Sequence, residues 1–327
     1  MAAGRAAAVV RAGGRVFGSW SAKRAVDVAI QSYNKPESLL YTLMCLKQCC
    51  GDRIHTVYIN DDCSSPDAAP VFTGAKVQAY FPDWTIRFRR NTRPARTKRL
   101  IVHGYRPAYM PRWYYVLAIG SCLARQRRYF PPQDDIRFQW ALNSTDKEFV
   151  FLTHDDVDFS GDIIGVYLGC MTPETAIAGD LGQCWRCRFG AGSNACSPAR
   201  IMRGERPWQR WPLTDSAPGP HMYDCRINEW CCLIRTSAAR DMARRARCFF
   251  GNYDNGGDVG AYWFAQAVGY GYRFCDPLPD MQLRNAWYRH CWQGHAGHQV
   301  WLGTASYDPE AVRKRTRERF GCTLWES

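Results

Sequence analysis

Three carboxylates crowd the end of a short apolar run in the segment EFVFLTHDDVDFSGD, Glu148 to Asp162. Phe149, Val150, Phe151 and Leu152 have the length and composition of a buried strand, and Asp155, Asp156 and Asp158 follow directly. Strands of an open α/β sheet present their carboxyl ends to a ligand crevice, and aspartates packed there repel one another unless a divalent cation neutralises them. The segment therefore reads as a cation site, with a solvated acidic turn as the plain alternative. A second group of ligating residue types lies in QCWRCRFGAGSNAC, where Cys184, Cys187 and Cys196 are followed by Cys225 in YDC. Four thiolates at this spacing suit one tetrahedral structural Zn²⁺; against that, cysteines are plentiful in this chain, 16 in all.

The elements that must position the acidic cluster are legible upstream of it. VDVAIQ, from Val26 to Gln31, reads as a first strand, and SYNKPES follows, with Asn34 placed to cap a helix and Pro36 near its first turn. Leu39, Leu40, Leu43 and Leu46 then recur on one helical face until Gly51. HTVYIN, from His55 to Asn60, reads as a second strand running into Asp61 and Asp62. Strand, helix, strand and acidic loop in succession make a βαβ unit with a parallel sheet. A further strand is expected within Val77 to Arg90 and a helix over Trp113, Val116, Leu117, Gly120 and Leu123, with another helix near Asp135 to Ser144. At the far end DPEAVRKRTRERF, from Asp308, has a capping acid, a first-turn proline and good helix formers.

Composition bounds what these elements can be. The chain has 327 residues, of which 46% are hydrophobic and 14% aromatic, enough for a sizeable core and against disorder. No apolar run approaches the ~20 residues that span a bilayer and no apolar signal segment opens the sequence, so the expectation is a cytoplasmic protein with reduced cysteines. A net charge of +13 attracts polyanions: nucleic acid, an anionic membrane surface touched peripherally, or the diphosphate of a nucleotide. Residues 1–25 are rich in Ala, Gly and Arg, contain no acid, and read as a flexible basic arm outside the fold.

In order, a strand ending in QSYN, a helix opened by KPES, a strand ending in NDDCSS and a strand ending in THDD resemble the family 2 glycosyltransferases of the GT-A fold, and among them the bacterial spore-coat polysaccharide type. NEWCCLIRTSAARD is similar to that family's strand and helix ahead of the acceptor loop, and GNYDNGGDVGAYWFAQAVGYGYRF to its segment carrying the catalytic acid. The resemblance covers residues 26 to about 275. It implies a Rossmann-like three-layer α/β/α sandwich with a mostly parallel central sheet, containing a cysteine subregion at about 180–232 and followed by a C-terminal extension, 276–327, that packs on it.

What the resemblance implies for single residues can be stated position by position. Gln31 and Asn34 fall at the nucleotide rim, Asp61 and Asp62 against base and ribose, and Asp155 on the sugar nucleotide. Asp156 falls on the metal motif with Asp158 beside it, binding Mn²⁺ or Mg²⁺. His154 stands where many members carry the first acid of D-x-D. A late histidine often completes the shell in such enzymes; HCWQGHAGH offers His290, His295 and His298, and His298 or His295 is expected to serve. Asp258 falls on the general base, with Gly257 and Gly260 where the family's E-D-x-D pattern has further acids. The implied activity is metal-dependent, inverting transfer of a sugar from a nucleotide-diphosphate donor to a glycan or other hydroxyl acceptor. A glycosyltransferase acting on modified DNA and a non-catalytic nucleotide-sugar or nucleic-acid binding module are the alternatives that composition leaves open.

Overall fold

A computed structural model describes residues 26–65, 74–91, 137–181, 210–211, 222–223, 226–251, 259–279, 281–292 and 307–321. Alternation of apolar side chains within each strand builds two separate cores. Val26, Val28 and Ile30 of β1 (Val26–Ser32) point to one face with Phe149 and Phe151 of β4 (Phe149–His154), whereas Ala29, Val150 and Leu152 point to the other. The first face is covered by α1 (Pro36–Cys50), α2 (Gly74–Tyr80), α4 (Ile163–Leu168) and Val312 of α8 (Pro309–Phe320). The second is covered by α3 (Phe138–Ser144), α5 (Thr236–Ala246) and α6 (Ala261–Gly269). The result is a three-layer α/β/α sandwich, the architecture the sequence implies.

Between the helical layers lies a seven-stranded sheet in the order β10-β6-β9-β4-β1-β2-β3, which adds β2 (Ile54–Asp61), β3 (Thr85–Arg90), β6 (Thr175–Leu181), β9 (Ile227–Arg235) and β10 (Arg273–Cys275) to β1 and β4. All neighbours pair parallel except β9, which runs antiparallel to both β4 and β6. The chain leaves β1 toward β2 and β3, then returns to place β4 on the other side of β1. The carboxyl ends of β1 and β4 thus flank a topological switch point, the place where an open α/β sheet forms its ligand crevice. At the opposite end the buried Asp27 carboxylate accepts hydrogen bonds from Thr56 N (3.0 Å) and Thr145 Oγ1 (2.6 Å), so a charge inside the sheet is compensated.

Some local expectations shift. Asn34 does not cap α1; Lys35 occupies that position without a side-chain cap, while Asn34, at φ 54°, accepts from Ser65 N (2.7 Å). The stretch from Val77 to Arg90 divides into α2 and β3. Asp308 caps α8 as expected, accepting from Glu310 N (3.0 Å) and Ala311 N (3.3 Å). Of the basic residues of α8, Arg313 pairs with Glu37 (2.7 Å) and Arg315 and Arg319 pair with Asp158, so this charge is turned onto the protein's own carboxylates. Among the described residues no helix is long and apolar enough to cross a membrane. The arm at 1–25, the helix expected around 113–123 and most of the cysteine subregion lie outside the described residues.

Candidate active site at the sheet switch point

The acidic turn is held from below by one polar stripe of an otherwise buried helix. Ser38, Thr42 and Cys45 recur at helical spacing on α1 and meet the segment 155–158 in order. Ser38 Oγ donates to Asp155 O (2.6 Å), Thr42 Oγ1 accepts from Val157 N (3.1 Å) and donates to Val157 O (3.0 Å), and Cys45 Sγ lies 3.6 Å from Asp158 Oδ1. Tyr33, at the end of β1, donates its N–H to Asp155 Oδ2 (3.2 Å). The turn then enters β5 (Val157–Phe159), which pairs antiparallel with β11 (Tyr288–His290) in a separate two-stranded ribbon; β11 follows α7 (Met281–Asn285), and β7 (Arg210–Trp211) pairs with β8 (Met222–Tyr223) in another. That register sets His290 opposite Val157, and Cys291 N bonds Asp156 O at 2.7 Å. A strand from the C-terminal part of the chain thereby brings its last residue to the aspartate.

His154, Asp156 and His290 place one ligand atom each within 4.8 Å of one another. His290 Nε2 lies 2.8 Å from Asp156 Oδ1, and the Lys35 ammonium lies 2.5 Å from Asp156 Oδ2 and 3.8 Å from Asp155 Oδ1. Trp230 of β9 stacks on the His290 ring, centroids 4.7 Å apart and planes 15° from parallel, which fixes its orientation. Burial, reinforced by the neighbouring His290, pushes His154 down to about 3, so its ring is neutral at physiological pH, the form that ligates metals. Burial opposes ionisation of Asp156, but His290 and Lys35 overcome it and hold that carboxyl well below the usual range. The balance at Asp155 goes the other way: burial raises it to about 6, with Lys35 opposing and the Asp156 charge adding to the rise. For Lys35, burial disfavours the ammonium but Asp156 and Asp155 outweigh it and raise its pKa. Two imidazoles and an ionised carboxylate are a donor set that fits Mn²⁺, with the ring orientation of one imidazole already fixed.

The other residues singled out in the sequence fall into three groups. Gln31, beside Asn60 and His154 in the sheet, Asn34, Asp61 and Asp62 line the same carboxyl edge as Asp155 and Asp156. Asp62 accepts from Asn91 Nδ2 (3.0 Å), whereas Asp61 is committed to its own turn through Ser64 N (3.2 Å), Ser64 Oγ and Arg90 Nε (3.5 Å). Asp158, expected beside Asp156 at the metal, has both its oxygens held by guanidiniums, Oδ1 by Arg319 and Oδ2 by Arg315, each at 2.5 Å, and is not part of the His154, Asp156 and His290 group. Its place on β5 turns it toward α1 and α8, where it serves to anchor a helix. Asp258, His295, His298, Cys184, Cys187, Cys196 and Cys225 lie outside the described residues. Among the described histidines it is His290, the one set aside, that reaches Asp156.

Lys35 was not anticipated at all. The available signal was a single cation between β1 and α1, on the loop that must face the crevice. Another signal is structural: of five non-glycine residues with positive φ among the described residues, Asn34, Cys63, Arg137 and Trp292 sit on loops around this edge. Backbone held in that region clusters where function over-determines it.

No protein-family model matches the chain, and no curated protein matches it. Among solved structures it is similar to the mannosyltransferase PcManGT from Pyrobaculum calidifontis in complex with GDP-Man and Mn²⁺, at 12% identity and TM-score 0.44, over 80% of this chain and 56% of that one. It is also similar to the galactosyltransferase LgtC in complex with donor and acceptor sugar analogs, at 10% identity and TM-score 0.38, over 92% and 99% of the two chains. A third is glucosyl-3-phosphoglycerate synthase from Mycobacterium tuberculosis in complex with Mn²⁺ and UDP-Glc, at 11% identity and TM-score 0.38, over 77% and 69%. The chain thus spans little more than half the length of the mannosyltransferase. Likeness this distant carries no residue-level correspondence.

Proposed function

We propose that this chain is a metal-dependent glycosyltransferase of the GT-A kind, moving a sugar from a nucleotide-diphosphate donor to a hydroxyl acceptor with inversion, in glycan or polysaccharide synthesis. The observation that carries the reading is the convergence of His154, Asp156 and His290 at the switch point of a mostly parallel sheet, one strand away from the Asp61–Asp62 end of β2. The motif order of family 2 glycosyltransferases supports it independently. His154, Asp156 and His290 would hold the ion, Mn²⁺ or Mg²⁺, which when bound would supply positive charge against that developing on the leaving diphosphate. Asp62, held by Asn91, and the rim formed by Gln31 and Asn34 receive the nucleoside. Asp258 takes the proton from the acceptor hydroxyl as that oxygen attacks the anomeric carbon. Cys184, Cys187, Cys196 and Cys225 hold one Zn²⁺ that stabilises the fold without entering the chemistry.

A thermal-shift screen of nucleoside diphosphates with Mn²⁺ tests the reading, since a ligand that binds only the folded chain raises its stability. One diphosphate is expected to raise the melting temperature only with Mn²⁺, and Asp156→Ala is expected to lose that shift while remaining folded. Unchanged metal-dependent binding by Asp156→Ala places the site elsewhere. For the base, Asp258→Asn is expected to lower transfer by ~10² or more with donor binding retained, because asparagine cannot accept the proton.

A further inference from the structure

We infer that Lys35 is a resident counter-cation of the candidate metal site, displaced from Asp156 by the entering divalent ion and then taken up by the diphosphate of the nucleotide, so that metal and nucleotide bind cooperatively. The inference rests on the reading of the site just given and deepens it.

Both oxygens of Asp156 are already engaged. His290 Nε2 is at 2.8 Å from Oδ1 and the Lys35 ammonium at 2.5 Å from Oδ2. A divalent ion that takes Asp156 as a ligand must therefore enter against a positive charge on the same carboxylate, and in a buried site that repulsion is weakly screened. Lys35 can move away. It precedes α1, with φ −135° and ψ 59°, and its charge sits at the end of a flexible four-carbon stem. It cannot remain unpaired, because most of its side chain is buried, and among the described residues its ion pairs are with Asp155 and Asp156 alone. Asp155 is the weaker partner, 3.8 Å away and already accepting from Tyr33 N. The anion that arrives with the nucleotide is a diphosphate, for which an ammonium beside a metal ion is a natural partner. Metal binding frees the lysine, and the phosphate oxygens receive it; by linkage each ligand then raises the affinity for the other by the same factor. The plain alternative is a structural ion pair that neutralises two buried carboxylates and takes no part in binding.

The two are separated by Mn²⁺ titrations of the full chain, read by the paramagnetic signal of the free ion and by calorimetry, with and without UDP or GDP, on wild type, Lys35→Met and Lys35→Arg. Lys35→Met is expected to bind Mn²⁺ alone about tenfold or more tighter than wild type, and the nucleoside diphosphate with Mn²⁺ about tenfold weaker. The mutual enhancement therefore shrinks, whereas Lys35→Arg, which keeps the charge, retains it. If Lys35→Met matches wild type in both Mn²⁺ affinity and enhancement, the inference is overturned while the metal site stands. If wild type takes up no Mn²⁺ with either nucleotide, the metal site and the inference fall together. Stability provides a second readout, for removing the ammonium leaves the carboxylates uncompensated. Lys35→Met and Lys35→Gln should melt lower than wild type and be restored by Mn²⁺ alone more than wild type is raised; equal shifts in all three overturn the inference.

Discussion

At the scale of single residues, the site is a set of charges shifted in opposite directions within one turn. Asp155 is pushed up to about 6 and Asp156 is held down, a division produced by which carboxylate touches His290 and the ammonium most closely. His154 has a consequence for stability. Its folded-state value, about 3, lies below the ordinary histidine value of 6.5, so between these limits the folded chain binds fewer protons than the unfolded one. Its contribution is therefore intact above about pH 6.5 and is lost as pH falls toward 3. With 28% of the side chain exposed, the effect is discounted to about 1–2 kcal/mol by pH 4.5. His154→Gln should flatten this acid limb in urea midpoints measured from pH 4.5 to 7; an unchanged slope would show that the ring charges freely. His290→Ala tests the opposite end of the cluster. Loss of this proposed ligand should weaken Mn²⁺ by at least tenfold, measured by calorimetry with the nucleotide present.

At the scale of elements, two pieces from the end of the chain complete what the first half begins. The ribbon of β5 and β11 aligns His290 with Asp156, and α8 fastens the other side of the same segment through Asp158. Arg315 and Arg319 also lie over the Tyr41 ring at 5.4 and 5.7 Å, so the clamp joins α1, β5 and α8. Asp158→Ala would leave two guanidiniums without their carboxylate, at a cost of about 2–4 kcal/mol. Because Asp158 is not in the cluster, Mn²⁺ affinity should stay within about twofold in the fraction that remains folded. Denaturant unfolding and metal titration of the same variant check both halves of this statement, and a large loss of metal affinity with little loss of stability would restore Asp158 as a ligand. Gly260 shows how tightly α6 is seated: at φ 77°, with an added Cβ brought to 2.7 Å from Phe250, only glycine fits there.

Across the whole molecule, two apolar cores clasp the sheet and make its central strands rigid enough to aim the loops at their ends. Phe151, fully buried at the centre of β4, packs edge-on to Phe159 at 5.9 Å and against Tyr167 at 6.3 Å. Phe151→Ala should cost ~3–5 kcal/mol in denaturant unfolding, and a cost below about 1 kcal/mol would mean that the core had closed over the gap. Much of this layout is written locally. Apolar runs of strand length, a leucine stripe at helical spacing and aspartates after strand ends are encoded in neighbouring residues, so β1, α1, β2, β4, α8 and the acidic turn could be read from the chain alone. Partnership between distant residues could not. His290 meets Asp156 because of an antiparallel register between three-residue strands, too short to show an alternating pattern, and the sequence favoured two nearby histidines, His295 and His298, over it. Lys35 looked like an ordinary polar residue before a proline until the crossover brought β4 alongside β1. Asp158 was indistinguishable by type from Asp156, and only packing against α1 and α8 decided that one aspartate anchors a helix while the other belongs to the cluster. Local patterns specify elements because they depend on backbone geometry and periodicity; the division of roles among identical side chains depends on which charges the fold brings within a few ångströms of each.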